Sequence, residues 1–339
     1  MTIDRRSLLG GLALAAVAPR PAAGADQAAL APARLAEAAR TASGLDQLRA
    51  LVVARSGTIA FAEAFRGPAL DRPTNVKSVS KTVVATLTGM AIARGEIAGV
   101  TTPALDFLSA PPGADPRIAR ITVEDLLTMR AGLERTSGAN YGGWVQSRDW
   151  VADALARPFV AEPGGRFLYS TGSYHLLGAV LAEASDRSLL ALARERLGEP
   201  LGIDVPPWTR DPQGRYMGGN DMALSPLALL RFGEMWRQGG LVDGQPVLAP
   251  SWIDASWTVR TRSPFSGHDY GYGWFLARAR GRRVAYARGY GGQMIYLVPE
   301  LALTVVITSD PNRPGRSRGH VGSLHRLLTE LIIPAAEAA

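Results

Sequence analysis

Ser78-Val79-Ser80-Lys81 sets a hydroxyl and an amine three residues apart. On a helix that spacing puts both on one face, so the Lys81 amine can reach the Ser78 hydroxyl. Serine is a poor nucleophile until a neighbouring base takes its proton. A lysine serves as that base only when desolvation or nearby cations lower its pKa. The chain holds just two lysines, Lys77 and Lys81, so a serine three residues before a lysine should arise by chance about 0.1 times in a sequence of this length. A helix start also offers free N–H groups and the positive end of a dipole, both of which favour a developing oxyanion. Tyr169 opens Tyr169-Ser170-Thr171 after Pro163-Gly164-Gly165. A tyrosine at such a loop-to-helix start acts as a proton relay beside the lysine, or as a phenolate if cations lower its own pKa. In Ala287-Arg288-Gly289-Tyr290-Gly291-Gly292, glycines at a strand end let the backbone approach a substrate closely, and an edge N–H there completes an oxyanion hole.

These groups need elements to hold them. Val79, Val83, Leu87 and Met90 recur at helical spacing, with Gly95 as a stop. Thr122 and Asp125 resemble a capping box before Leu126-Leu127, with a stop at Gly132. A helical run covers 174–184. Ser225-Pro226 supplies an N-cap and a first-turn proline for a helix over Leu229, Phe232 and Trp236, ending at Gly239-Gly240. On either side of this stretch the pattern is that of strands. Leu51-Val52-Val53-Ala54 and Thr58-Ile59-Ala60-Phe61 flank Arg55-Ser56-Gly57, a hairpin signal. After Tyr270 the period drops to two, and 272–278, 283–288, 293–298 and 301–308 read as four strands whose short links join only antiparallel neighbours. A last amphipathic helix covers 321–333. The expected fold is α/β of the α+β type: an antiparallel sheet flanked by helices and built from both chain ends, with a mainly helical lobe inserted. One domain covers 26–336, its α/β lobe at about 30–77 and 258–336 and its helical lobe at about 78–257. No G-x-G-x-x-G follows a strand, which excludes a Rossmann fold.

The 339-residue chain contains no cysteine, which removes disulfides, thiolate catalysis and Cys-based metal sites. Its four histidines (His175, His268, His320, His325) show no H-E-x-x-H spacing, so neither a metal nor another cofactor is expected. The net charge of +7 comes from arginines scattered along the chain, a compositional bias rather than a phosphate-tracking stripe, and no nucleic-acid partner is expected. Residues 1–25 read as an export leader. Arg5-Arg6-Ser7-Leu8-Leu9 resembles a twin-arginine signal, Ala23-Gly24-Ala25 is a small-x-small cleavage site, and the apolar run between them is shorter than the about 20 residues a bilayer span needs. The mature protein is expected in the periplasm or secreted, without stable membrane insertion, acting on a small molecule; its oligomeric state leaves no signal.

Four minor signals need placing. Tyr141 and Trp144, in a Gly-rich loop, line an acyl pocket or pack the loop on themselves. Gly218-Gly219-Asn220-Asp221 reads as a turn, in preference to a segment bordering the site. His175, beside Leu176-Leu177, reads as a hydrogen-bonded core histidine. Gly315-Arg316-Ser317-Arg318-Gly319 matches G-x-S-x-G, but Pro311 and Pro314 part Ser317 from the preceding strand, and no Asp or Glu falls before the next histidine. It reads as an exposed Arg loop.

The order S-x-x-K, a tyrosine about 90 residues on and a Gly-rich C-terminal strand resembles the serine β-lactamase and penicillin-binding superfamily. More closely it resembles the class C-like branch of esterases, D-amino-acid peptidases and 6-aminohexanoate-dimer hydrolases. The stretches that carry this likeness are Ile121-Thr122-Val123-Glu124-Asp125-Leu126-Leu127-Thr128-Met129, Tyr169-Ser170-Thr171-Gly172-Ser173-Tyr174-His175-Leu176-Leu177-Gly178, Pro200-Leu201-Gly202-Ile203 and Gly289-Tyr290-Gly291-Gly292-Gln293, within about residues 45 to 335. The resemblance implies a β-lactamase/transpeptidase-like fold, Ser78 as acylated nucleophile, Lys81 and Tyr169 as base machinery, and the N–H groups of Ser78 and Tyr290 as oxyanion hole. Thr171, Arg288, Gly289 and Gly291 then border the substrate. Two departures bear on what is cleaved. Thr171 stands where the family's Y-x-N motif has asparagine, and Ala287-Arg288-Gly289 matches the K-T-G or H-T-G motif only at its glycine. The cation missing at Ala287, which Arg288 replaces in part, points away from strong β-lactamase activity and toward a neutral ester or a short amide. The expected protein is an exported serine hydrolase working through a Ser78 acyl-enzyme. The alternative is a penicillin-binding or peptidoglycan-sensing module that kept the fold without turnover.

Overall fold

In the computed structural model, residues 29–316 and 319–338 are described; the expected leader and Ser317 lie outside them. Buried apolar residues make up Leu48–Arg55 (β1) apart from Arg49 and Arg55, and Ser56 and Gly57, with φ of +52° and +83°, supply the two left-handed residues of a tight hairpin turn into Thr58–Ala64 (β2). A short pair follows, Thr74–Asn75 (β3) with Ala223–Leu224 (β4), then a small hairpin, Leu241–Val242 (β5) with Gln245–Pro246 (β6). The C-terminal part contributes Thr261–Arg262 (β7), Asp269–Tyr270 (β8), Phe275–Ala279 (β9), Arg282–Gly289 (β10), Gln293–Val298 (β11) and Leu303–Ser309 (β12). Eight strands form one antiparallel sheet in the order β2-β1-β12-β11-β10-β9-β8-β7. Its joint is β1 beside β12, with Val52 opposite Val306, so both chain ends build it. The strand expected from residue 272 begins at Phe275, because Gly271 to Trp274 form the turn from β8. β7 and β8 hold two residues each and are too short to leave a period.

Helices cover both faces. The main ones are Pro32–Gly44 (α1), Val79–Ala93 (α2), Val123–Leu127 (α3), Thr171–Ser185 (α4), Pro226–Arg237 (α5), Pro250–Ser256 (α6) and His320–Arg326 (α7). Along β11, Ile295 and Leu297 point at Gly233 of α5, while Tyr296 between them bonds His325 of α7 at 3.1 Å. That alternation sets α5 and α7 on opposite faces of the sheet. α2 is buried on every side from Val79 to Ala91, as a central helix must be. The capping box of Thr122 and Asp125 is present, but α3 ends at Leu127 instead of Gly132, since Met129 turns left-handed at φ +61°. The C-terminal helix runs past residue 333: a π turn, Leu327–Ile332, follows α7 and continues into Ile333–Glu337.

Candidate active site

Ser78 is the N-cap of α2, yet its side chain does not cap the helix. A serine there ordinarily accepts from a first-turn N–H; this one turns its Oγ to Lys81 Nζ, 2.9 Å away. The residue before it, Lys77, is left-handed at φ +51°, a conformation that costs a residue with a β-carbon roughly 1–2 kcal/mol. Neighbours hold it there. The Lys77 N–H donates to Asn75 Oδ1 at 2.8 Å, and its ammonium pairs with Asp221 at 3.2 Å. Asn75 Nδ2 also donates to Asp221, at 2.9 Å. The β3–β4 pairing, with Asn75 opposite Ala223, brings this 218–222 segment against the Ser78 loop.

Lys81 is 1% exposed. Its Nζ has three near neighbours: Ser78 Oγ at 2.9 Å, Thr171 Oγ1 at 3.3 Å and the Gly219 carbonyl at 2.5 Å. Burial lowers its pKa from 10.5 to about 7, against the opposing pull of the Asp221 charge. A neutral amine has two N–H donors and one lone pair. The donors fit Gly219 and Thr171, which leaves the lone pair for the Ser78 O–H. The Gly219 carbonyl reaches this spot because its backbone lies against the start of α4; a Cβ on Gly219 would sit 2.6 Å from the Thr171 carbonyl.

Tyr169 stands two residues before α4, its ring centroid 5.0 Å from Lys81 Nζ. Enclosure pushes its hydroxyl above the usual tyrosine range, while interaction with Ser78 and the charge on Arg288 pull it partly back. It is a phenol at neutral pH, which favours the relay over the phenolate. On the far wall, β10 ends against the Ser78 loop. A Cβ on Gly289 would lie 2.3 Å from the Val76 carbonyl, so only glycine fits there. Gly292 N then donates to Gly289 O at 3.2 Å, closing a turn over Tyr290 and Gly291. The N–H groups of Ser78 and Tyr290 donate to no acceptor among the described residues.

The cleft between these walls has a volume of about 650 Å³ and brings together Ser78, Tyr169, Thr171, Tyr141, Arg288, Gly289 and Tyr290. Two expected members are elsewhere. Trp144 is fully buried, donates from Nε1 to the Trp150 carbonyl at 2.9 Å and backs Tyr141 with ring centroids 5.9 Å apart. Its large apolar ring turns inward and packs the loop, whereas Tyr141 faces the cleft and accepts from Asn220 Nδ2 at 3.1 Å. Gly291, at φ +84°, shapes the turn behind the cleft wall. His175 is buried 3.2 Å from Asp211, outside the cleft, as a core histidine. Sequence reasoning missed the Gly219 carbonyl, Asp221 and Ser137, whose Oγ accepts from Thr171 N at 2.8 Å. A backbone carbonyl leaves no residue signature; the Gly-Gly-Asn-Asp run, read as a turn, was its one trace. No group of three or more His, Asp or Glu among the described residues is placed to hold a metal.

Residues 47–329 match the Beta-lactamase family, and the chain belongs to it. Its solved structural neighbours include a candidate 6-aminohexanoate-dimer hydrolase from Bacillus anthracis, 17% identical, covering 86% of this chain and 80% of that one at a TM-score of 0.73. EstCE1, a hydrolase with promiscuous acyltransferase activity, is 18% identical and covers 90% and 98% at 0.71. A D-stereospecific amidohydrolase from Streptomyces is 19% identical and covers 85% and 97% at 0.66. At such identities the likeness is one of fold, and the β-lactamase/transpeptidase-like architecture expected from the motifs is the one observed. A protein assigned to fimbrial assembly in Dichelobacter nodosus, FimD of serogroup H1, is 28% identical over 143 residues; the match takes in 39% of this chain and spans about a third (35%) of that protein's length.

Proposed function

We propose that this protein is a serine hydrolase that cleaves a small ester, amide or short peptide through an acyl-enzyme on Ser78. The observation that carries this reading is the buried Lys81 Nζ, 2.9 Å from Ser78 Oγ, where burial lowers its pKa to about 7. Lys81 takes the Ser78 proton as Oγ adds to the substrate carbonyl. The negative charge on the former carbonyl oxygen is met by the N–H groups of Ser78 and Tyr290. Collapse breaks the bond to the leaving group, which receives the proton from Lys81 by way of the Tyr169 hydroxyl. A water molecule, giving its proton back along the same path, then adds to the acyl carbon and frees Ser78. The fold family supports a hydrolase, and the leader at 1–25 supports export to the periplasm or beyond. The missing cation at Ala287 supports weak or no β-lactamase activity.

Pre-steady-state hydrolysis of 4-nitrophenyl acetate tests the reading. It predicts a burst of one nitrophenolate per active site, followed by slower turnover, and no burst in Ser78→Ala. A penicillin-binding or sensing module would give a single stoichiometric event without turnover, or none.

A further inference from the structure

The chemistry above leaves the charge at the cleft mouth unused. Lys77, Arg135 and Arg288 line the cleft, and among the described residues no Asp or Glu lines it with them. Lys77 is neutralised by Asp221. Arg135 has no carboxylate partner among the described residues; its guanidinium lies over the Phe265 ring, 5.5 Å from the centroid. Phe265 comes from the loop between β7 and β8 and is 59% exposed. A guanidinium resting on an aromatic face keeps its N–H fork for a planar anion.

The arm that carries Arg135 is fixed. Asn140 Nδ2 donates to the Arg135 carbonyl at 3.0 Å, and the next residue, Thr136, donates its N–H to Ser170 Oγ at 3.1 Å. Ser137 then accepts from Thr171 N, and Thr171 Oγ1 lies 3.3 Å from Lys81 Nζ. Arg135 is therefore held in register with the reacting groups by two short links.

We propose that Arg135, backed by Phe265, binds a carboxylate of the substrate, so that the preferred substrates are anionic esters or amides rather than the neutral ones the missing Ala287 cation implied. This rests on the hydrolase reading. A group this exposed should contribute at the low end for a charged hydrogen bond, about tenfold in kcat/KM.

The test uses the mature chain and two matched pairs of esters. Mono-4-nitrophenyl glutarate against 4-nitrophenyl pentanoate places the carboxylate on the acyl side; 4-acetoxybenzoate against phenyl acetate places it on the leaving side. The wild type should favour the anionic member of at least one pair by about tenfold, through KM more than kcat. That ratio should fall toward one in Arg135→Gln and be kept in part by Arg135→Lys. A purely structural role would slow both members alike and leave the ratio unmoved, which would overturn the proposal, as would a wild-type ratio near one. If no ester is turned over, the hydrolase reading fails, and calorimetry reads the subsite directly. Glutarate should then bind more tightly than glutaramide, with the difference lost in Arg135→Gln; equal binding of the two, or no binding, would overturn it.

Discussion

Lys81→Met should stabilise the protein relative to wild type more at pH 6.5 than at pH 9.5. In the unfolded chain a lysine is an ammonium up to pH 10.5, whereas in the folded protein this one loses its proton at about pH 7. Each pKa unit of separation corresponds to ~1.4 kcal/mol, so holding the ammonium in the fold costs ~5 kcal/mol below pH 7. Between pH 7 and 10.5 the unfolded state binds one more proton than the folded state, and wild-type stability rises with pH. The penalty is complete below the folded pKa and gone above the unfolded one. Methionine carries no proton and has no such slope. It does forfeit the contacts to Ser78, Thr171 and Gly219, at ~1 kcal/mol each, but that loss is the same at every pH. The informative quantity is therefore the change in the difference, ~3 kcal/mol in favour of wild type on going from pH 6.5 to 9.5. Urea unfolding of both proteins at one-unit steps and constant ionic strength measures it, since the other titrating groups cancel. A difference that stays flat across this range would mean Lys81 keeps an ordinary ammonium pKa, and it could not then serve as a base near neutrality.

Three further outcomes follow from the site. Tyr169→Phe keeps the ring beside Lys81 and removes only the relay hydroxyl, so kcat should drop about 10²-fold with no change in melting temperature; full activity would take Tyr169 out of the proton path. Asp221→Asn removes the charge that raises the Lys81 pKa and frees Lys77 as a nearby cation, so the rising limb of the kcat/KM–pH profile should move to lower pH. A shift upward, or none, would refute that coupling. Gly289→Ala puts a methyl 2.3 Å from the Val76 carbonyl. It should part β10 from the Ser78 loop, costing ~1–3 kcal/mol of stability and about 10²-fold or more in kcat as an oxyanion donor is displaced, checked by unfolding and steady-state rates.

What was legible in the sequence had a local period or a fixed spacing. Ser78 and Lys81 are three apart, and a helix brings them together whatever surrounds it. The turn at Ser56-Gly57 and the strand at 293–298 were marked by turn residues and by β-branched or apolar runs. Groups defined by tertiary approach left no such mark. The Gly219 carbonyl reaches Lys81 only because two glycines let one segment lie on another, and Arg135 meets Phe265 across some 130 residues of sequence. Trp144 and Tyr141 look alike in a Gly-rich loop, and only packing decides that one turns inward. The low pKa of Lys81 is likewise a property of its enclosure, which residue types alone do not set.

The central claim is that Ser78 is an activated nucleophile. Incubating the mature protein with a fluorophosphonate and mapping the adduct by peptide mass spectrometry tests it most directly. The account predicts one adduct, on Ser78, absent from Ser78→Ala. No adduct, or an adduct on another serine such as Ser317 with Ser78 unmodified, would contradict it.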